Sequence, residues 1–528
     1  MKRVLVGLGV VIGAIAVLTV VGVLLFTMTD FGRERVRRFT LQTLSEMVHG
    51  QVRIGGIGGN LLDGVVMTDF SIADTAGRPF VSADTVVADY HLIAFARKRI
   101  ELHSLRLVRP LVIFDKLEDE DWNFESIFPE DTTPDKPSEG PGFGDWVAFN
   151  DVEVIGGRFI VRTPWKPDGD SVGPARERVI ADALAGGVRQ HVVRARKGFQ
   201  QVMDFQRINT TMPRLRLEDP DSSGIAIQVT ALSGTAAIFR PPVAEIRDVE
   251  GTFYVIDDTL RFDDARIVLP GSQIAGDGRY GIDTRELRLA LKGAPIALAD
   301  LRWLYPRLPS EGSGTLDFQM VMRDEGASDY VARNADIRSG TSRVGGDFGL
   351  TLTETETRFH DTHLTFASFD TRLIEQLVPG LDIPRRGAIG GRASLDGTTS
   401  AMTLDGDVTF DDALNGRSRV VARGLVGFGG GDIRARGLRL RLAPVQVDLA
   451  RIAVPDLPVG GVVTGTAMLD GSTKTRLTAT MDLEHVDRGA RSHLSGRGVV
   501  AMRGTTWMDV DLRARPLSLV TVGRFAPA

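Results

Sequence analysis

Three stretches of this chain carry residue types that do chemistry when a fold brings them together. His360-Asp361-Thr362-His363 looks like a metal pair, since imidazole and carboxylate are good ligands for a divalent cation. On a strand, residues three apart point to opposite faces, so the two histidines are expected not to converge. Gly427-Phe428-Gly429-Gly430-Gly431 has the glycine content of a phosphate-cradling loop but lacks the lysine, and strand-like Ile433 to Leu442 follows where that loop needs a helix. Glu118-Asp119-Glu120-Asp121 is expected to be a solvated loop tip rather than a metal site. There is no nucleophile-elbow or zincin sequence. The absence of cysteine removes disulfides, thiolate zinc sites and thiol nucleophiles together. Neither an enzyme nor a cofactor is expected.

The remaining residues must therefore be read for architecture. The 528 residues are 43% hydrophobic and 25% charged with a net charge of −5, which suits a folded protein without the basic excess of a nucleic-acid binder. The 59 glycines against 5 tryptophans and 5 tyrosines suit many strands and turns, and lack the aromatic girdles of an outer-membrane barrel.

One helix organises the start. Val4 to Phe26 is twenty-three residues without a charge, bracketed by Lys2 and Arg3 and by Asp30. As a helix it is ~35 Å long against a hydrocarbon core of ~30 Å, so it predicts a transmembrane anchor with Val4, Leu8, Val11, Ile15, Leu18, Leu25 and Phe26 in lipid. A signal peptide has a shorter apolar core, about 7 to 15 residues, and a small-x-small site, which Leu24-Leu25-Phe26-Thr27-Met28-Thr29 does not offer. Residues 1–29 are read as cytoplasmic tip and anchor, and 30–50 as a juxtamembrane helix with Val36, Phe39, Leu44, Met47 and Val48 on one side and Gly50 at its end.

From Gln51 the hydrophobic period changes to two. Val66, Thr68, Phe70 and Ile72 share a face, Asp74 to Pro79 makes a turn, and Val81 to Val87 begins again. Ile100 and Leu102 alternate out of phase with Leu105 and Leu107, which predicts a bulge at His103-Ser104. Residues 51–128 are read as a β domain, and 129–145, rich in Pro, Gly, Asp and Glu, as a linker. Strands resume over 146–292, with a possible helical insert at 174–203 broken by Gly186-Gly187.

The order of motifs in this first region is Ile54-Gly55-Gly56-Ile57-Gly58-Gly59, Leu61-Leu62-Asp63-Gly64-Val65, Asp69-Phe70-Ser71-Ile72-Ala73-Asp74, Gly77-Arg78-Pro79, Ile100-Glu101-Leu102, Leu105 to Val112 and Trp122-Asn123-Phe124. Together with the anchor, this order resembles the amino-terminal region of the AsmA-like superfamily, TamB-like (translocation and assembly module) proteins in particular. The resemblance implies a single-pass bacterial inner-membrane protein with most of its chain in the periplasm. It also implies a β-rich groove and a role in envelope lipid transport or outer-membrane assembly. An outer-membrane partner of the Omp85 type would be met through a carboxy-terminal region absent here. Lys and Arg counting alone gives the opposite orientation, because Arg33, Arg35, Arg37 and Arg38 follow the anchor.

Residues 293–528 repeat. Ala294-Pro295, Ala443-Pro444 and Arg515-Pro516 are each followed eleven residues later by a proline, Pro306, Pro455 and Pro527, while Ala367-Ser368 keeps the spacing to Pro379. The anchors 306, 379, 455 and 527 lie 73, 76 and 72 residues apart. Gly387, Gly391, Ala393 and Leu395-Asp396-Gly397 match Gly461, Gly465, Ala467 and Leu469-Asp470-Gly471, displaced by 74. At a usual spacing of about 8 to 12 residues per strand and turn, one repeat would hold about 6 or 7 strands.

The repeated strands are apolar on one face only: Leu287, Leu289 and Leu291; Leu316, Phe318 and Met320; Leu438, Leu440 and Leu442. The expected fold is mainly β, an anchor helix followed by an elongated, twisted antiparallel groove of ~74-residue repeats with few short helices. Those nine residues would line a groove for phospholipid, whose acyl chains an aliphatic surface holds without directional contacts. A closed core, as in a sandwich or barrel, is the alternative; it would leave an anchored structural or adhesive protein. The third possibility is a scaffold for outer-membrane protein insertion through exposed strand edges. Earlier anchor prolines are followed by a new strand and Pro527 is not, so the sequence is expected to be the amino-terminal part of a longer polypeptide.

Overall fold

The computed structural model describes residues 34, 38, 49–59, 64–90, 100–127, 147–167, 172–218, 224–256, 259–281, 284–323, 326–378, 380, 383, 385–429, 431–452, 458–501 and 507–525. The anchor residues Val4 to Phe26 and the repeat anchors Pro379, Pro455 and Pro527 lie outside them, as does the linker 129–145. Among the described residues no helix is long and apolar enough to cross a membrane. Of the juxtamembrane stretch 30–50, Glu34, Arg38, His49 and Gly50 are described; Glu34 and Arg38 are helical and form an ion pair at 3.4 Å, and Gly50 begins the strand Gly50–Arg53. The chain is mainly β, with mostly antiparallel strands and few short helices. It divides into two compact units, Met1–Pro270 and Gly271–Ala528.

The first unit mixes pairing directions. Gly64–Asp74 and Pro79–Tyr90 form the expected hairpin, and the register of Pro79–Tyr90 against Ile100–Val108 slips at Asp89/Tyr90, leaving His103 as the extra residue of the expected bulge. Ile100–Val108 and Leu111–Asp115 then run parallel to the long strand Val147–Trp165, which pairs antiparallel with Phe199–Glu218. An all-antiparallel expectation misses those two parallel pairs. The helical insert is a single helix, Pro174–Ala185, with proline at its start and Gly186 ending it in the left-handed conformation at φ 101°.

Several motifs of the first region turn out to be ties between segments. Asn123 is fully buried: its Oδ1 accepts the Asp115 amide at 2.9 Å, and its Nδ2 donates to the Ile113 carbonyl at 2.8 Å and the Pro79 carbonyl at 3.1 Å. Buried Asp74 accepts both the amide and the Nε of Arg78 across the Gly77 turn, at 2.7 and 2.5 Å. Ile127 on the short helix Asn123–Ile127 packs with Ile72 into a small core. A second core gathers Ala83, Val86, Ala88, Leu105 and Val152.

Among the described residues the second unit is a serial meander of fourteen strands. They are Gln273–Gly281, Leu287–Ala297, Ser313–Met322, Ser328–Ser339, Ser342–Leu352, Thr357–Asp370, Gly387–Thr398, Ala401–Asp412, Gly416–Gly429, Asp432–Gln446, Val462–Ser472, Arg476–Asp487, Ala490–Ala501 and Trp507–Ala514. Each pairs antiparallel with the next. Helical turns interrupt the series at Leu298–Leu301, Thr371–Leu377, Val447–Ile452 and Leu519–Phe525. One repeat is therefore four strands and a helical turn, not six or seven strands, because strands of 10 to 15 residues such as Ser313–Met322 and Asp432–Gln446 use up the length.

The first proline of each repeat motif marks where the helical turn begins. Register slips between Gly293 and Ile296 around Pro295, between Phe366 and Phe369 around Ser368, and between Leu442 and Val445 around Pro444. Proline has no amide to give a ladder, so a bulge is a place that tolerates it. Pro306 follows the first helical turn, and its carbonyl accepts Arg302 Nε at 3.4 Å.

Candidate functional site

Directly opposed residues on paired strands share a face, so the printed register tells which side chains lie together. Leu287, Leu289 and Leu291 oppose Met322, Met320 and Phe318, and Gly293 opposes Leu316. Phe318 and Met320 oppose Ala332 and Tyr330, which oppose Phe348 and Leu350. The same face continues through Leu364 and Phe366, then Ala393 and Gly391, Gly406 and Val408, and Ala422 and Val420, to Leu440 and Leu442. Leu438 opposes Leu469 on that face, which runs on through Met481 and Leu483 to Leu494, Val510 and Leu512. All nine expected lining residues therefore lie on one apolar face. Eight of the nine are half-buried, and Leu438 alone is buried at 7% exposure.

The large aliphatic side chains of a packed core are closed off on all sides, which these eight are not. Among the described residues, no pairing joins Gln273–Gly281 to Trp507–Ala514, so the meander is not closed into a barrel. Large apolar residues on this face are exposed at one end of the strands, including Met322, Leu352, Phe428 and Ile433. The helical turns sit at the opposite strand ends.

The displaced glycines of the repeat share this face and its backbone. Gly391 and Gly465 have φ of 112° and 135°, and a Cβ on either would stand 2.1 or 2.2 Å from the carbonyl oxygen of Asp407 or Asp482. Only glycine fits both the left-handed conformation and that approach.

The opposite face is polar. Arg417 bonds Asp411 at 2.5 Å, Arg419 bonds Asp407 through two contacts at 2.8 and 2.7 Å, and Arg423 bonds Asp405 at 3.0 Å. Hydrogen bonds from these arginines hold the Asp411 and Asp407 carboxyls below the usual range. Being exposed, the pairs contribute little to stability, but they keep the two faces chemically distinct.

A connection that the sequence reading did not find recurs in every repeat. Ser272, Ser342, Ser418 and Ser492 are buried, at 1, 3, 2 and 0% exposure. Their hydroxyls accept the amides of Ala297, Asp370, Gln446 and Ser518 at 2.8, 3.0, 3.0 and 2.9 Å. Each donor lies two residues past the motif position 295, 368, 444 or 516, so each serine staples the end of one strand to the start of the strand paired just before it. The sequence signal is Ser-x-aliphatic: Ser272-Gln273-Ile274, Ser342-Arg343-Val344, Ser418-Arg419-Val420 and Ser492-His493-Leu494.

The stretches that looked chemical serve the frame. Asp361 adopts a positive φ of 46° and is an extra residue, so His360 opposes Gly349 and His363 opposes Asp347. The histidines therefore share the polar face, contrary to the expectation of opposite faces, which counted positions along an unbulged strand. They are engaged separately: His360 Nε2 lies 2.9 Å from Asp329 Oδ1, and His363 Nδ1 lies 2.9 Å from Ser394 Oγ. Among the described residues no group of three or more acidic or histidine side chains could hold a metal ion. Past the glycine run, Asp432 starts the expected strand, and bonds from Ser472 Oγ first, then Arg434, the Lys474 amide and Thr473, hold its carboxyl far below the usual range. The acidic run is not simply solvated: Glu118 meets Lys166 at 3.0 Å and Glu120 meets Arg196 at 3.3 Å. Comparison with protein-family models, curated proteins and solved structures finds no match to this chain, so a function has to be read from the two faces themselves.

Proposed function

We propose that this chain is a membrane-anchored protein that holds or conducts phospholipid along the apolar face of its second unit, without catalysis. The carrying observation is that one aliphatic face continues from Leu287 to Leu512 through an unclosed meander and is left half-buried. Covering such a face is favourable by roughly 25 cal/mol per Å² whatever the shape of the apolar partner, which suits acyl chains of varied length. The uncharged run Val4 to Phe26 and the resemblance to AsmA-like proteins support a bacterial inner-membrane location, a periplasmic body and a role in outer-membrane biogenesis. A photocrosslinker at Leu289, Phe318 or Leu440 should capture phospholipid in cells. Crosslinks to protein alone would mean that the face is closed by another part of the chain.

A second reading rests on a different observation. Trp507–Ala514 pairs on one side only among the described residues, and its Met508 and Val510 are 66 and 54% exposed. An open strand edge of this kind can add a strand from a client, as an outer-membrane protein insertion module would require, with an Omp85-type partner beyond it. Deleting the gene separates the two: barrel proteins would be depleted with lipid asymmetry intact under the second reading, and the reverse under the first. The anchored structural or adhesive alternative would need the half-buried face to be permanently covered.

A further inference from the structure

Away from that apolar face, the first unit contains a cavity of about 660 Å³ whose walls carry five arginines and a histidine. That is within the ~300–1,000 Å³ of small-ligand sites. Arg158 and Arg162 flank Ile160 on Val147–Trp165, and the walls add Arg78, Arg194, Arg196 and His191. Two acids face them, Asp115 and Asp204.

Most of these charges are already engaged. Arg158 holds both oxygens of Asp204, at 2.9 and 2.7 Å. Burial pushes the Asp204 carboxyl up, but the bonds from Arg158 and Gln206 outweigh it and leave it below the usual range. Asp115 accepts Gln200 Nε2 at 2.6 Å, Arg196 meets Glu120, and Arg194 stacks on Phe199 with 5.4 Å to the ring centroid. Two guanidinium groups keep donors to spare. Arg78 gives Nε to Asp74, but its Nη1 is buried, stands 3.5 Å from Glu120 and makes no hydrogen bond. Arg162 lies beside Asp115 in register, and among the described residues no ion pair joins the two.

We propose that this cavity binds a phosphoryl group, with Arg78 and Arg162 as its principal ligands and His191 beside them. A phosphoryl group offers several oxygens at once, which matches two guanidinium forks and an imidazole better than the two oxygens of a carboxylate. This site stands on its own residues and does not depend on the trough.

The test is calorimetric titration of the full chain at low salt with inorganic phosphate, sn-glycerol 3-phosphate and dihexanoylphosphatidylglycerol. Saturable binding of at least one is expected, weakened about tenfold by Arg162→Ala and less by Arg162→Lys, which keeps the charge and loses the fork. Arg436→Ala, an exposed change in the second unit, should leave it unchanged. Equal affinity for the first two probes identifies a free phosphate ester; tighter binding of the third identifies a lipid headgroup. No saturable binding of any probe, or binding that neither Arg162 variant weakens, overturns the proposal. The first two probes carry no acyl chain, so their result is independent of any failure of the lipid-trough reading.

Discussion

Replacing Ser418 by alanine should destabilise the second unit by about 1–2 kcal/mol. Its hydroxyl is 2% exposed and accepts the Gln446 amide at 3.0 Å, at the bulge that turns the strand into the helical turn Val447–Ile452. Without the acceptor, a shielded N–H is left unmet, a loss of roughly 1–3 kcal/mol, offset in part because the buried hydroxyl's own desolvation is also removed. For a unit of this size that corresponds to a fall of about 2–4 °C in unfolding temperature per kcal/mol. Urea denaturation followed by circular dichroism, together with amide hydrogen exchange at Gln446, measures both the global and the local effect. Ser400→Ala is the control, since that exposed hydroxyl bonds only Thr398 Oγ1 and should change stability by less than about 0.5 kcal/mol. A Ser418→Ala protein as stable as the control, with Gln446 exchange unchanged, would refute the staple. The same substitution at Ser342 or Ser492 should lower stability in the same direction, because donor, distance and burial are the same there.

Gly465→Ala should lower stability by about 1–3 kcal/mol in the same urea assay, because φ 135° is strained for alanine and its Cβ would sit 2.2 Å from the Asp482 carbonyl oxygen, whereas Gly429→Ala meets nothing within 4 Å and should be near neutral. Leu440→Asp should abolish phospholipid crosslinking while the protein still folds, since a carboxylate on a half-buried, hydrated face finds water; loss of soluble expression would instead point to a packed core. His493 should titrate above its ordinary value of about 6.5, because its Nε2 bonds Asp482 Oδ1 at 2.7 Å. The sign follows: with the folded pKa raised, its contribution to stability is full below about pH 6.5 and fades as pH rises through the raised value. Imidazole NMR shifts measure this, and a midpoint at or below 6.5, or one that Asp482→Asn leaves unmoved, contradicts it.

How far the fold was legible depended on how local its causes are. Alternation is a two-residue property, so the one-sided strands Leu287–Ala297 and Ser313–Met322 and their common face could be read directly. The strand count per repeat could not, because average turn spacing says nothing about strands as long as the fifteen residues of Asp432–Gln446. Nor could the parallel pairs of Val147–Trp165, which are chosen between segments distant in sequence. Bulges set the limit most clearly. Ala435 and Leu438 are three apart yet share the apolar face, and His360 and His363 share the polar one, because an extra residue lies between each pair. Aspartate at 361 tolerates the left-handed conformation better than most residues, but nothing in the sequence marks it as the residue that adopts it.

The composition of one transverse row bears on what covers the apolar face. Gly346, Leu364, Ala393, Gly406, Ala422, Leu440, Ala467, Met481, Gly496 and Leu512 oppose one another strand by strand. Glycine and alanine hold six of these ten places, while the flanking rows mix large residues, Phe366, Val408 and Val420 on one side and Leu395, Leu404 and Leu469 on the other, with small ones such as Gly391, Gly465, Gly424 and Ala479. A permanent core at native density fills such positions with side chains that interdigitate with a second layer, and small residues there would leave voids that cost stability. A surface whose cover comes and goes has the opposite requirement: a floor kept low by small residues between aliphatic walls. The four serine staples bear on the same point, since they fix each repeat's helical turn through backbone bonds rather than through packing across the apolar face. Ties made through the backbone do not call on the apolar face for that part of the stability, which is what the proposed lipid reading requires.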